Sequence, residues 1–197
     1  MPQLITSPVG VVSSSEQECV ISALVLAFSA DPAARWMYLD SQQYLTYFPK
    51  FIRAFSATSF TQNTAYSNEN YSGAALWIPP GIEPDAHAIG ELLQNSIAES
   101  EQAEVFSVFE EMEHYHPKIP HWYLSVLGVD PAHQKKGLGS ALLQSVLNEC
   151  DRHQIPAYLE SSNPANVPFY QRHGFEVMST IQVGNSPRIF PMIRYPN

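Results

Sequence analysis

The sequence is short of cations, cysteines and long apolar runs, and each shortage excludes a class of function. Ten Lys and Arg stand against 19 Asp and Glu, a formal net charge of −9. Nucleic-acid binding needs a basic face to neutralise phosphates, so nucleic acid is not an expected partner. A cationic or amine-bearing partner suits the field better, although net charge speaks first to solubility. The two cysteines, Cys19 and Cys150, both fall on apolar faces of predicted helices. Both are expected as buried free thiols, the pattern of a cytoplasmic protein. No Cys and His set has a zinc-site spacing, so no metal is expected. The longest apolar-leaning run, Val20 to Ala30, is too short to span a bilayer, and no membrane partner is expected. Met1-Pro2-Gln3-Leu4-Ile5 lacks the basic region and apolar stretch of a secretory leader.

What is present supports a packed core. Hydrophobic residues make up 45% of 197, and no repeat or low-complexity linker marks a boundary, so residues 1–197 are expected to form one domain. Ser15-Glu16-Gln17-Glu18 has the form of a capping box. Behind it Val20, Ala23, Leu24, Ala27 and Phe28 recur at helical spacing, and Asp31-Pro32 ends that helix. A second helix starts near Ser41 and carries Tyr44, Phe48, Phe51, Ile52 and Phe55; Pro49 inside it predicts a kink or break. Two strands, Thr61–Ser67 and Tyr71–Ile78, flank a turn at Asn68-Glu69-Asn70. Residues 82–116 read as helical and acidic, either a solvated face or a wall for a positively charged acceptor. Beyond the connector Pro117 to Pro120 the order is β, α, β, α, β, β, which implies an α/β layer architecture.

The chemistry concentrates in residues 121–175. Trp122 to Val129 is a strand candidate stopped by Asp130-Pro131. Gln134-Lys135-Lys136-Gly137-Leu138-Gly139 follows and opens an amphipathic helix on Leu138, Leu142, Val146, Leu147 and Cys150. A glycine loop at a helix N-terminus suits a phosphate, because free N–H groups point outward and no side chain blocks the approach. A Walker loop would need Gly-Lys-Ser/Thr, and a Rossmann fingerprint a third glycine where Leu142 stands; both fail. A second strand, Ile155 to Leu159, leads into Asn163, Phe169, Tyr170, Gly174 and Phe175.

These two strings resemble the GNAT superfamily of acetyltransferases. Gln134 to Gly139 after Val129-Asp130-Pro131 is similar to its first signature, and Asn163 through Gly174-Phe175 to its second. Asn166 stands where the family usually has Ala. The resemblance implies a mixed, mostly antiparallel central sheet with splayed middle strands, flanked by helices. It implies that acetyl-CoA, a cosubstrate, lies in the gap between the strand ending at Val129 and the strand starting at Ile155. The backbone of Leu127, Gly128 and Val129 would pair with the pantetheine arm. Gln134, Lys135, Lys136, Gly137, Leu138, Gly139 and Ser140 would hold the pyrophosphate, with Asn163 and Phe169 beside the arm.

The same resemblance makes Tyr170 the general acid for the leaving thiolate. Strand alternation puts His121, Tyr123 and Ser125 on one face, with Tyr123 where many relatives carry a base. A tyrosine of ordinary pKa, about 10, is a poor base, so a water chain or another residue takes part: Glu111, Glu113, His114, His116 and His121 are candidates. Glu160 ends the second strand near the acceptor mouth. The implied activity is direct N-acetylation of a primary amine, on a small molecule or peptide, in a ternary complex. A longer acyl-CoA, a hydroxyl acceptor, or a non-catalytic CoA-binding regulator remain alternatives. Acceptor choice would lie in residues of about 30–120 and 176–197, and family members commonly form homodimers.

Overall fold

A computed structural model describes residues 8–197, so the leader reading at Met1–Ile5 lies outside the described residues. Seven strands form one open sheet. In spatial order they are β1 (Val9–Val11), β2 (Ala65–Asn68), β3 (Gly73–Ile78), β4 (Trp122–Val129), β5 (Ala157–Ser161), β7 (Phe190–Arg194) and β6 (Glu176–Val177). Every adjacent pair is antiparallel except β4 and β5, which run parallel. The helices are α1 (Gln17–Ala27), α2 (Pro32–Met37), α3 (Ser41–Phe55), α4 (Ala57–Thr61), α5 (Ala86–Ser96), α6 (Glu99–Tyr115), α7 (Leu138–His153) and α8 (Val167–Arg172).

Both sheet faces are covered. On one, Leu24 of α1 and Phe48 and Ile52 of α3 pack with Ile78, Tyr123 and Val126. On the other, Leu142, Leu143 and Leu147 of α7 pack with Trp77, Leu159 and Phe175. Each such burial stabilises the fold by about 1.5–3 kcal/mol before entropy is counted. The C-terminal strand is tied to α7 by Arg194, which is 4% exposed and donates to Asp151 Oδ2 at 2.9 Å. That guanidinium holds the Asp151 carboxyl below its usual range.

Several local expectations are corrected. The capping box lies two residues earlier: the Ser13 N–H and Oγ both reach the Glu16 carboxylate. Asp31-Pro32 does not merely end α1 but opens α2, the Asp31 carboxylate accepting from the N–H groups of Ala33 and Ala34 at 3.0 Å each. Pro49 lies inside an unbroken α3. The rings of Tyr44, Phe48, Phe51 and Phe55 stack along that helix at 4.9, 6.1 and 5.2 Å, and this packing offsets the one helical bond that proline removes. Thr61 closes α4 rather than opening a strand. The acidic stretch is two helices, parted at Ile97-Ala98. Both cysteines are free, but only Cys150 is buried; Cys19 is exposed on α1.

Candidate active site

The central strands separate as the motif residues require. β4 and β5 pair only at Trp122 with Ala157 and Tyr123 with Tyr158. Beyond Tyr123 the β5 side of β4 has no strand partner among the described residues. The Asp130 N–H donates to Ser72 O on the β3 side at 2.8 Å. Alternation then turns the N–H and C=O groups of Leu127 and Val129 into the opening.

A bulge lies in the same stretch of β4. Leu76 pairs with Val126 but Trp77 with Leu124, which leaves Ser125 as the additional residue in β4. Ser125 Oγ is held by Leu76 O and Ser56 Oγ, both at 2.9 Å. Of the face expected from His121, Tyr123 and Ser125, the two residues within β4 stay together. Tyr123 and Ser125 line the cleft, whereas His121 lies against His116 instead. At Gly128 a Cβ would meet Ala27 Cβ at 2.8 Å and Leu24 Cδ2 at 2.9 Å, so only glycine lets α1 lie on the splayed strand.

The glycine loop has the backbone of an anion cradle. Lys135 and Gly137 both have positive φ, 60° and 88°, and Gly137 is the residue before α7. These two left-handed residues turn the loop back at the positive end of a 16-residue helix, where its first N–H groups are free. Gln134 to Lys136 are exposed, and Gly137, Gly139 and Ser140 half-exposed. Gln134 donates to Val129 O at 3.1 Å, joining the loop to the end of β4. Lys136 Nζ donates to Ala132 O at 3.0 Å, and Ser140 Oγ lies 3.0 Å from His173 Nε2. A Cβ on Gly139 would sit 3.4 Å from the Phe169 ring. Asn163 accepts from the Ala165 N–H through Oδ1 at 3.0 Å. Asn166 is exposed at the cleft edge, not packed inside α8 as its family position suggests.

Where the strands part, a cleft opens between β4, β5, α2, α3, α6 and α8. Tyr170 lines it and is 7% exposed. Burial, and secondarily the Asp31 charge, push its hydroxyl well above the ordinary tyrosine range. It stays protonated at neutral pH. Asp31 also lines the cleft, held by Ser162 Oγ at 2.7 Å; burial raises its carboxyl despite the bonds it accepts. The wall opposite Tyr170 is apolar: Phe48, Phe51 and Phe55 of α3, Phe109 and Met112 of α6. The helical spacing of the α3 rings carries no sign that one edge faces a cavity.

Of the two readings of the acidic stretch, the solvated face fits Glu110, Glu111 and Glu113. All three are exposed, and α6 meets the cleft through Val108, Phe109 and Met112. Besides Asp31, the cleft is lined by the carboxylate of Glu160, whose side chain is 5% exposed. Its Oε1 lies 3.8 Å from His116 Nδ1, and His116 Nε2 lies 3.0 Å from His121 Nε2. Burial first, and Glu160 second, raise the Tyr123 hydroxyl well above its usual range, which disfavours tyrosinate as a base. Among the described residues no group of three or more His, Cys, Asp or Glu is placed to hold a metal ion, and no helix is long and apolar enough to cross a membrane.

Comparison with known proteins agrees with this geometry. A family model described as an acetyltransferase (GNAT) domain matches residues 88–195, more than half of the chain. An uncharacterized N-acetyltransferase of Schizosaccharomyces pombe is 37% identical over 78 residues, 38% of this chain and 32% of that protein. An L-methionine sulfoximine/L-methionine sulfone acetyltransferase of Salmonella typhimurium is 42% identical over 60 residues, 28% of this chain and 35% of that one. The matched segments thus span about a third of these relatives' length. A solved structure described as a histone acetyltransferase and related acetyltransferase, from Corynebacterium glutamicum, superimposes with a TM-score of 0.68 at 21% identity, covering 98% of both chains. At that identity it shows the fold.

Proposed function

The chain belongs to the GNAT acetyltransferase family, and from that premise we propose that it moves an acetyl group from acetyl-CoA to a primary amine, directly, in a ternary complex. The observation that carries the reading is the parting of β4 from β5 directly beside Tyr170 and the glycine cradle. The pantetheine arm takes the place of a strand against Leu127 and Val129, on either side of Gly128. The pyrophosphate rests on the N–H groups from Lys135 to Ser140, with the Gln134 side chain bracing the loop on β4 and Lys136 adding positive charge. Asn163 has its amide N–H groups left for the arm, and Phe169 packs beside it.

The acceptor enters from the aromatic side. Phe51, Phe55 and Phe109 favour an amine with an apolar body, and Glu160 is the anion beside the place of its nitrogen. The neutral nitrogen attacks the thioester carbonyl. The oxyanion that develops is met by a backbone N–H of β4, pre-set by the bulge at Ser125. The C–N bond forms, the C–S bond breaks, and the Tyr170 hydroxyl gives its proton to the departing sulfur. The proton lost from nitrogen restores Tyr170, so one amine and one thioester give one amide and one thiol.

The test is free-CoA release from acetyl-CoA with a panel of primary amines beginning with phenethylamine. Tyr170→Phe keeps the ring and its packing. It is expected to lower kcat by about 10²- to 10⁴-fold with acetyl-CoA affinity unchanged. Turnover within about threefold of wild type would make Tyr170 a packing residue.

A further inference from the structure

The mechanism above gives His173 no part, yet its ring meets the start of α7. Resting on the acetyl-CoA reading, we propose that His173 is a positioning residue of the pyrophosphate site. It turns the Ser140 hydroxyl outward as a donor, and it takes up one proton as the pyrophosphate lands.

The geometry begins at Ser140, the third residue of α7, whose N–H is among the four that a helix leaves without an internal partner. Ser22 and Ser145, also in helices, return their hydroxyls to the carbonyls of Glu18 and Leu142. Ser140 does not: its Oγ lies 3.0 Å from His173 Nε2, across from α8. Two contacts fix the imidazole. The Phe169 ring, one turn earlier on α8, packs on it at 5.0 Å between centroids and also stands 3.4 Å from where a Gly139 Cβ would lie. From β7, Arg194 Nε donates to the His173 carbonyl at 3.0 Å.

A hydroxyl has one hydrogen to give. With Nε2 bare, Ser140 directs that hydrogen to the ring and shows only lone pairs to the cradle. With a hydrogen on Nε2, the ring donates to Oγ, and the Ser140 hydrogen turns to the opening. A phosphate oxygen only accepts, so an anion in the cradle selects the second arrangement. Nδ1 is then the open proton position. Filling it makes an imidazolium one hydroxyl away from the pyrophosphate, and a nearby opposite charge favours the charged form. The proton comes from solvent, to which the ring is half-exposed, and no covalent bond of the ligand changes.

Without the anion the balance is reversed. The charged groups that face the ring are both cations, Arg172 beside it at the end of α8 and Arg194 of β7, while α7 meets it through Ser140. Burial first, then these two arginines, lower the ring below the ordinary histidine range, so it is neutral at neutral pH. The bound ring has the higher pKa, and binding therefore takes up protons. Affinity is greatest on the acid side and falls as pH rises from the lowered value of the empty site through that of the occupied one.

The experiment uses dephospho-coenzyme A, which keeps the pyrophosphate and lacks the phosphate monoester that itself titrates at a pKa of about 6. The first readout is the ring-nitrogen magnetic resonance of wild-type His173 against pH, with and without the probe. The titration is expected to move up by about one pKa unit, equivalent to binding up to about tenfold tighter on the acid side. The second is the Kd of the probe against pH, by calorimetry, in wild type, His173→Gln and Ser140→Ala. The glutamine can donate to Ser140 but cannot titrate, so the acid-side gain should disappear. Ser140→Ala should weaken binding and reduce the ring response. A His173 titration unmoved by saturating probe overturns the inference and leaves the acetyl-transfer reading standing, as does the full wild-type pH dependence in His173→Gln. A wild-type protein that binds neither dephospho-coenzyme A nor acetyl-CoA at any pH overturns the acetyl-transfer reading itself, and this inference with it.

Discussion

Tyr170 and Tyr123 show how one residue type takes two roles from its surroundings. Both are buried in the cleft wall, and burial is the largest cause holding each hydroxyl protonated. A permanently protonated hydroxyl donates well and accepts a proton poorly. That suits Tyr170 to the proposed leaving thiolate and leaves Tyr123 unsuited to act as a base. Gly128 matters through what it lacks. With α1 at 2.8–3.0 Å from the position of any Cβ, Gly128→Ala forces α1 off the strand whose backbone faces the opening. Overpacking of this kind costs about 1–3 kcal/mol. Denaturant unfolding of Gly128→Ala should show that loss. A change below about 0.5 kcal/mol would mean that α1 shifts freely over β4.

Among the elements, α3 and α6 wall the cleft with their apolar edges, and the proposed acceptor would lie against them. Phe109→Ala is expected to raise the acceptor KM about tenfold, equivalent to about 1.4 kcal/mol, with acetyl-CoA kinetics unchanged. Replacing Glu110, Glu111 and Glu113 by Gln should leave both KM values where they are, because those carboxylates point to solvent. The reverse pattern would restore the acidic lid that composition suggested. Elements set by local pattern were legible in advance: β4 over Trp122–Val129, the start of α7 at Leu138, the Phe169-Tyr170 pair before Gly174. What escaped depends on tertiary contact. The bulge at Ser125 arises from pairing register with β3, which no period in β4 announces. His116 and His121 meet because the proline-bracketed turn folds back, and the sequence shows only their spacing. The three-residue β1 offers too short a pattern to read.

At the scale of the molecule, one sheet does three jobs at one place. It pairs β4 with β5 for two residues and then lets them part; it presents strand backbone to the opening; and it carries Tyr123 and Glu160 to the mouth. The acidic charge of the whole chain is then broken locally at Lys135 and Lys136, beside the cradle. The central claim is that acetyl-CoA fills this opening. Titration calorimetry of acetyl-CoA into the wild-type protein tests it without any knowledge of the acceptor. One site with micromolar affinity is expected, abolished in Gly137→Glu, where a carboxylate would occupy the pyrophosphate position, and retained in Tyr170→Phe. No heat with acetyl-CoA, together with no rise in Tm at millimolar ligand, would contradict the account.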